Sequence, residues 1–440
     1  MSTISRRAFL KWGSSAAAMA AAPGLLTRAA RAAAPIGGGA PILVVLRLDG
    51  GVDGLNTVVP AGFGRQNADH YYTWRPPTAD GLGVPEGDLL PLDSEFGLHP
   101  NLAQLKALYD LGQVAIVHGV GYPSMDRSHF RGTEIMDSGS INPRATGVFG
   151  RYLDARFDPI DGIIRGVDLS GRASRVLKAT SANAMIGSSL GDFELPRDHR
   201  SWWDQANRSA AFGATWQSAV SDSSAHAEIL RIGRIAQSAS PAFVSAATGW
   251  TWGGTDPALE YGALVAAGNR LAGRFRTLSQ LLTAASLAEK PQVFHLSLGG
   301  FDTHSAQGRT AADDTGHPQR LRWMSEAIGA FFHDMAGQGL RERVVLLTIS
   351  EFGRTLEANG SRGTDHGTAY PIFAIGERVR GGLYGQHPSL EAASLDRYGD
   401  MVATTDFRSV YATVLRRVLG ADDVALLGAD HYQAGLDFVL

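Results

Sequence analysis

Four short segments of this chain gather carboxylates, imidazoles and a guanidinium beside glycine-rich turns. Arg-Leu-Asp-Gly-Gly-Val-Asp-Gly-Leu-Asn-Thr (47–57) carries Asp49 and Asp53, and Gly-Gly-Phe-Asp-Thr-His (299–304) carries Asp302 and His304. Ser-Glu-Phe-Gly-Arg-Thr (350–355) carries Glu351 and Arg354, and Gly-Thr-Asp-His-Gly-Thr (363–368) carries Asp365 and His366. The chain has no cysteine, which excludes a thiolate site, a cysteine nucleophile and disulfides. Carboxylate and imidazole donors without sulfur suit a divalent metal: zinc, manganese, magnesium or calcium. Two such ions about 4 Å apart would clamp the attacking and leaving oxygens of a phosphate or sulfate ester. Each segment also has a structural role open to it. Asp49 and Asp53 could form turns or cap a helix, Asp302 and His304 could be a local hydrogen-bonded pair, and Glu351 with Arg354 an ion pair. Their joint occurrence at the ends of predicted strands favours chemistry, because independent structural roles have no reason to collect there.

A fifth segment, Val-Gly-Tyr-Pro-Ser-Met-Asp-Arg-Ser-His-Phe (120–130), leads into a predicted helix ending at Gly139. The first-turn amides and the dipole of a helix favour an anion. Ser128 there reads either as an oxygen nucleophile activated beside a metal or as the helix N-cap.

The elements that must position these residues follow from apolar patterning. Pro41 to Leu48, Gln113 to His118, Gln292 to Leu298, Arg343 to Ser350 and Tyr370 to Ile375 are nearly continuous apolar runs, the pattern of strands buried on both faces. Leu102 to Leu111 and Leu321 to Gly337 have helical spacing. Alternating buried strands and helices predict an α/β fold with a mainly parallel sheet, whose ligands sit beyond the strands' C-terminal ends. Strand signals thin between about 155 and 290, where a strand or two near Gly162 to Leu169 precedes helices from Ala210 to Leu287. That stretch is expected to be a helical insertion or cap on one domain spanning 35–440.

Hydrophobic residues at 44% and charged residues at 19% place the chain among globular proteins. A net charge of -3 gives no footing for a nucleic-acid partner. The N-terminus reads Ser5-Arg6-Arg7-Ala8-Phe9-Leu10-Lys11, then an Ala-rich apolar stretch and small residues from Ala29 to Ala34. This is the layout of a twin-arginine signal peptide, residues 1–34, read by the twin-arginine translocase. The apolar stretch is too short and too rich in Ala and Gly for a stable membrane span. The expected location is therefore periplasmic or extracellular, after export of a folded and loaded protein.

Together these segments resemble the bacterial family known as domain of unknown function 1501. The resemblance rests on the Arg-Arg leader, on 48–57, Leu-His-Pro (98–100), Arg-Ser-His-Phe (127–130), 299–304, 350–355, Thr-Asp-His-Gly (364–367) and Asp-Phe-Arg (406–408). That family looks like a branch of the alkaline phosphatase and sulfatase superfamily. The resemblance implies a three-layer α/β/α sandwich of alkaline phosphatase-like type. It also implies metal ligands at Asp49, Asp302, His304, Glu351 and His366, with Asp365 as a further candidate. Ser128 would attack, and Arg354 or His129 would stabilise charge. Three features depart from the superfamily pattern: the short Asp302-Thr303-His304 spacing, Phe352 where a histidine ligand is expected, and no cysteine to become formylglycine. The expected function is a metal-dependent hydrolase of a phosphate or sulfate ester, its substrate a small molecule or a polymer. The alternative is a secreted binding or envelope-assembly protein with a degraded site.

Overall fold

The computed structural model describes residues 39–61, 66–158, 162–194, 205–216, 224–285, 287, 292–429 and 436–440. The expected signal peptide, 1–34, lies outside the described residues. Two compact units divide the chain. The smaller takes in Ala145–Thr251 and Thr277–His295, and the larger Gly39–Arg144, Trp252–Arg276 and Leu296–Leu440.

The strands of the mixed sheet, in chain order, are β1 (Ile42–Asp49), β2 (Val114–Gly121), β3 (Gly166–Asp168), β4 (Ala184–Ile186), β5 (Val293–Gly299), β6 (Val344–Ile349), β7 (Tyr370–Ile375), β8 (Gly382–Tyr384) and β9 (Thr405–Asp406). In the larger unit the neighbours run β8-β2-β7-β6-β1-β5, and β9 also pairs with β2. β1 and β6 are parallel, with Ile42 opposite Val344 and Arg47 opposite Ile349. β8 and β9 are parallel to β2. In the smaller unit, β3 is parallel to β4 and to the first residues of β5. The fold is α/β with a mostly parallel sheet. The exception is β7, antiparallel to both β2 and β6.

The five apolar runs become β1, β2, β5, β6 and β7, and every residue of β2, β6 and β7 is buried. A strand covered on both faces cannot alternate polar and apolar residues, which is why these runs are continuous. Helix α1 (Ala103–Asp110), α2 (His129–Ser138) and α3 (Gly316–Gly337) belong to the larger unit. α3 buries Leu321, Met324, Ile328, Phe331, Phe332 and Met335, a stripe at three- and four-residue intervals. It begins five residues before the predicted Leu321. Pro318 lies in its first turn, where no intrahelical donor is lost. The smaller unit holds helices Val148–Arg156, Gln205–Trp216 and Ser224–Val244 besides its strands.

Candidate metal centre

β1 and β6 point the same way, so Asp49 and Glu351 leave them at one edge of the sheet. The Gly50 amide donates to Glu351 Oε1 at 2.8 Å, and the Phe301 amide donates to the Asp49 carbonyl at 3.2 Å. Gly50 sits at φ +121, and a Cβ there would collide with the backbone of Phe301 and Asp302. Only glycine meets both demands. The loop after β1 can therefore lie directly against the loop that carries Asp302.

A buried polar network fixes the same loops from behind. Asp53 is 1% exposed and takes Arg75 Nη1 on both oxygens, at 2.8 and 2.6 Å. Gln307 Nε2 donates to Asp53 Oδ2 at 2.5 Å. The Gln307 carbonyl oxygen accepts from the hydroxyls of Thr303, at 2.7 Å, and Thr364, at 2.6 Å. Thr303 precedes His304, and Thr364 precedes Asp365 and His366, so one amide side chain ties together both histidine loops. Burial pushes the Asp53 carboxyl up, but the Arg75 charge and the hydrogen bonds outweigh it and hold the group below the usual range.

Three imidazoles then converge on one carboxylate. His366 Nδ1 donates to the Arg127 carbonyl at 2.8 Å. His304 Nδ1 donates to Asp365 Oδ1 at 2.7 Å, and His129 Nδ1 to Glu351 Oε1 at 2.8 Å. With each Nδ1 committed to an oxygen acceptor, each Nε2 is left with its lone pair. All three Nε2 atoms face Asp302: His304 at 3.1 Å and His366 at 3.3 Å from Oδ1, His129 at 3.5 Å from Oδ2. His304 Nε2 and His366 Nε2 are only 3.0 Å apart. Two lone pairs at that distance repel unless a proton or a cation lies between them. The ligand atoms of His129, Asp302 and His366 lie within 4.8 Å of one another. Oxygen-held Nδ1 atoms behind exposed Nε2 atoms are the usual support of histidine metal ligands, so these residues fit a divalent ion.

The Glu351 hydrogen bond raises the His129 pKa, whereas burial lowers that of His366. Burial alone would raise Asp302, but the bond and charge of Arg354, then the imidazoles, pull it below the usual range. Phe352, buried, has its ring centroid 4.9 Å from that of His129 and 4.7 Å from that of His366. The phenylalanine that stands where a histidine ligand is expected is thus a wall that orients two imidazoles.

Several expected residues have other places. Arg354, expected to stabilise charge, is 1% exposed. It donates to the carbonyls of Gly51 (3.0 Å), Thr364 (2.9 Å), Phe301 (3.0 Å) and Gly50, and to Asp302 Oδ1 at 2.5 Å. Its guanidinium is engaged in holding these loops and Asp302, and it does not pair with Glu351. Glu351 and Asp365, expected as ligands, hold the Nδ1 atoms of His129 and His304. Asp49 pairs with Arg47 Nε at 2.5 Å, and the same guanidinium is shared with Asp137 at 3.0 Å. His129, expected beside the reaction as a charge stabiliser, stands with the candidate ligands. Ser128 is the N-cap residue of α2 but makes no capping side-chain bond, and it is exposed. Sequence reading missed Arg75, Gln307 and Asn359, which donates to Asp365 Oδ1 at 3.1 Å. It also missed the Arg127 carbonyl, for which no sequence signal exists.

Residues 262–427 match the model of the family described as "Protein of unknown function (DUF1501)", a span that contains the motifs at 299–304, 350–355, 364–367 and 406–408. No curated protein matches the sequence. Among solved structures, the chain is similar to a protein in the alkaline phosphatase superfamily from Vibrio parahaemolyticus, at 13% identity and TM-score 0.40, covering 97% of this chain and 78% of that one. It is also similar to the PsFucS1 sulfatase from Pseudoalteromonas sp., at 11% identity and TM-score 0.39, covering 90% and 71%. A TAB5 alkaline phosphatase mutant with magnesium bound is similar at 13% identity and TM-score 0.31, covering 79% and 94%. At these values the likeness carries neither residue roles nor activity over to this chain.

Proposed function

We propose that this protein is a metal-dependent hydrolase of a phosphate or sulfate ester, exported by the twin-arginine route. The observation that carries the reading is the convergence of three oxygen-held imidazoles on Asp302. His129, His304, His366 and Asp302 would hold a divalent ion, and Glu351, Asp365 and the Arg127 carbonyl would fix the rings. Such an ion, when bound, supplies positive charge that favours an anionic ester and its transition state.

The chain's own residues provide the rest. Ser128, with an exposed hydroxyl directly before His129, presents the nucleophile at the start of α2. Its Oγ forms a bond to phosphorus or sulfur as the bond to the alcohol oxygen breaks, and the departing alcohol gains the proton the hydroxyl loses. Water then cleaves the seryl ester and restores the hydroxyl. The first-turn amides of α2 favour the anion during both steps. The test is turnover on a panel of phosphate and sulfate esters. Ser128→Ala should retain metal and lose activity by about three orders of magnitude or more. Full activity in that variant, on a substrate the wild type hydrolyses, rules out Ser128 as nucleophile.

A second reading, a binding or envelope-assembly protein, draws support from the burial of Arg354, whose guanidinium is spent on loop carbonyls and Asp302. Metal-loaded protein inert on the whole panel would favour it. Export rests on the Arg6-Arg7 leader, and among the described residues no helix is long and apolar enough to cross a membrane. Arg6→Lys with Arg7→Lys should leave the precursor in the cytoplasm. Normal periplasmic recovery of that double variant would overturn the assignment.

A further inference from the structure

Beside the candidate centre, within the larger unit, is a cavity of about 940 Å³. Arg127 and Thr368 line it. The Arg127 carbonyl is the group that holds His366, and Thr368 lies two residues beyond His366. The cavity therefore begins where the centre ends, and its size is that of a site for an organic molecule.

Several polar groups of its wall are already engaged. Arg127 pairs with Asp396 at 2.9 Å and with Asp400 at 2.7 Å. The Thr368 hydroxyl donates to the Met401 carbonyl, and the Thr404 hydroxyl to the Gln386 carbonyl. Asp406 caps the helix that follows it and pairs with Arg408 at 2.6 Å. The wall also offers apolar surface: Met125, Tyr398 (64% exposed) and Val402 (49% exposed). Exposed apolar side chains gathered next to a reactive centre mark a surface that a ligand covers. Arg127 and Arg397 lie over the Tyr398 ring, at 4.6 and 4.7 Å from its centroid, so the aromatic wall is held in place by two guanidinium groups.

We infer that the cavity takes the organic part of the ester, and that this part is an aryl or comparably bulky apolar group rather than a small polar alcohol. The inference rests on the proposed hydrolase reading, in which the anionic end of the same molecule sits at the metal. It makes Val402 and Tyr398 specificity-determining residues, outside the machinery that breaks the bond.

The test is calorimetric titration of the mature protein, carrying the divalent ion with which it is purified, using methylphosphonate and 2-phenylethylphosphonate. Neither compound can be hydrolysed, so the readout is independent of turnover. The phenylethyl compound should bind at least about 10-fold more tightly, in line with burial of one aromatic group. Val402→Asp, at an exposed position, should abolish that preference and leave methylphosphonate affinity unchanged. Equal affinity of the two anions for wild type overturns the cavity assignment and leaves the metal centre standing. Absence of binding by either anion overturns the centre's anion site and the cavity inference together. A preference that survives Val402→Asp and Tyr398→Ala places the organic group elsewhere and overturns the inference.

Discussion

Two acidic clusters lie a few residues apart in the same loops of the larger unit, and they differ in what surrounds them. Asp53 is buried, and Arg75, Gln307 and the Asn56 amide (3.3 Å) satisfy it. Asp302 is 46% exposed and faces three imidazole Nε2 atoms as well as Arg354. One cluster has a donor for its acceptors and closes on itself. The other brings imidazole nitrogens together at 3.0 Å, a spacing that needs a proton or a cation between them. A buried charge survives only when paired and hydrogen-bonded, so the first arrangement stabilises a fold. The second is a cost to the fold unless a proton or a bound cation lies between the nitrogens. The comparison shows why residue type alone does not separate a structural carboxylate from a functional one: the partners decide.

Removing a side chain from each cluster should therefore have different consequences. The largest effect is expected for Asp302→Asn, which loses the charge on which the imidazoles converge. Its affinity for divalent ions should fall by about three orders of magnitude, roughly 4 kcal/mol, with little change in the melting temperature of the metal-free protein. Next comes Arg75→Met, which leaves Asp53 buried without its cation. Its unfolding free energy should drop by about 3–5 kcal/mol, read from denaturant melts. Unchanged stability in Arg75→Met would erase the distinction between the clusters.

The pH dependence sharpens the same contrast. The Asp53 pKa is held below the usual carboxylate range in the folded state. Its contribution to stability is therefore complete above the unfolded-state value of about 3.9 and is lost as pH falls from there through the folded-state value. Asp53→Asn should lower stability at neutral pH and flatten its decline below about pH 4. An acid limb identical to that of wild type would show that Asp53 does not carry this linkage.

A smaller effect is expected where the clusters meet. Gln307→Leu removes the amide that joins Asp53 to Thr303 and Thr364. It should cost about 1–3 kcal/mol of stability and weaken metal binding about 10-fold through the loosened histidine loops. The least disruptive change, Asn359→Ala, deletes one bond to Asp365 and should weaken metal binding only about 2- to 5-fold, the equivalent of about 0.5–1 kcal/mol. A Gln307→Leu protein that loses stability but keeps full metal affinity would uncouple the two clusters.

The central strands and the edge of the sheet were legible in the sequence because burial on both faces writes itself as unbroken apolar runs. β3 falls within the strand expected near Gly162 to Leu169, whereas β4, β8 and β9, of two or three residues each, are too short to carry a period, and the antiparallel direction of β7 leaves no trace in composition. At the site, Asp302, His304 and His366 stood out by type and by position after β5 and β6. The contacts of Glu351 and Asp365 with the Nδ1 atoms of His129 and His304 did not, because a carboxylate that binds metal and one that holds a histidine have the same sequence signature. Arg354 stands in a motif that suggests catalysis, but its burial and its carbonyl partners come from loops up to 300 residues away. The departure at Phe352 was visible from sequence as a missing ligand. Its function as a wall against His129 and His366 required the fold.

The central claim is that the Nε2 atoms of His129, His304 and His366 surround a divalent ion with Asp302. The most direct measurement is a crystal structure of the protein as purified, with anomalous data collected on both sides of the absorption edge of the metal found by elemental analysis. The account predicts an anomalous peak bonded to Asp302 and to imidazole Nε2 atoms, with Glu351 and Asp365 still on the Nδ1 side. No peak at this position after saturation with zinc, manganese, magnesium and calcium in turn, or an ion bound instead through Asp49 and Glu351, would contradict it.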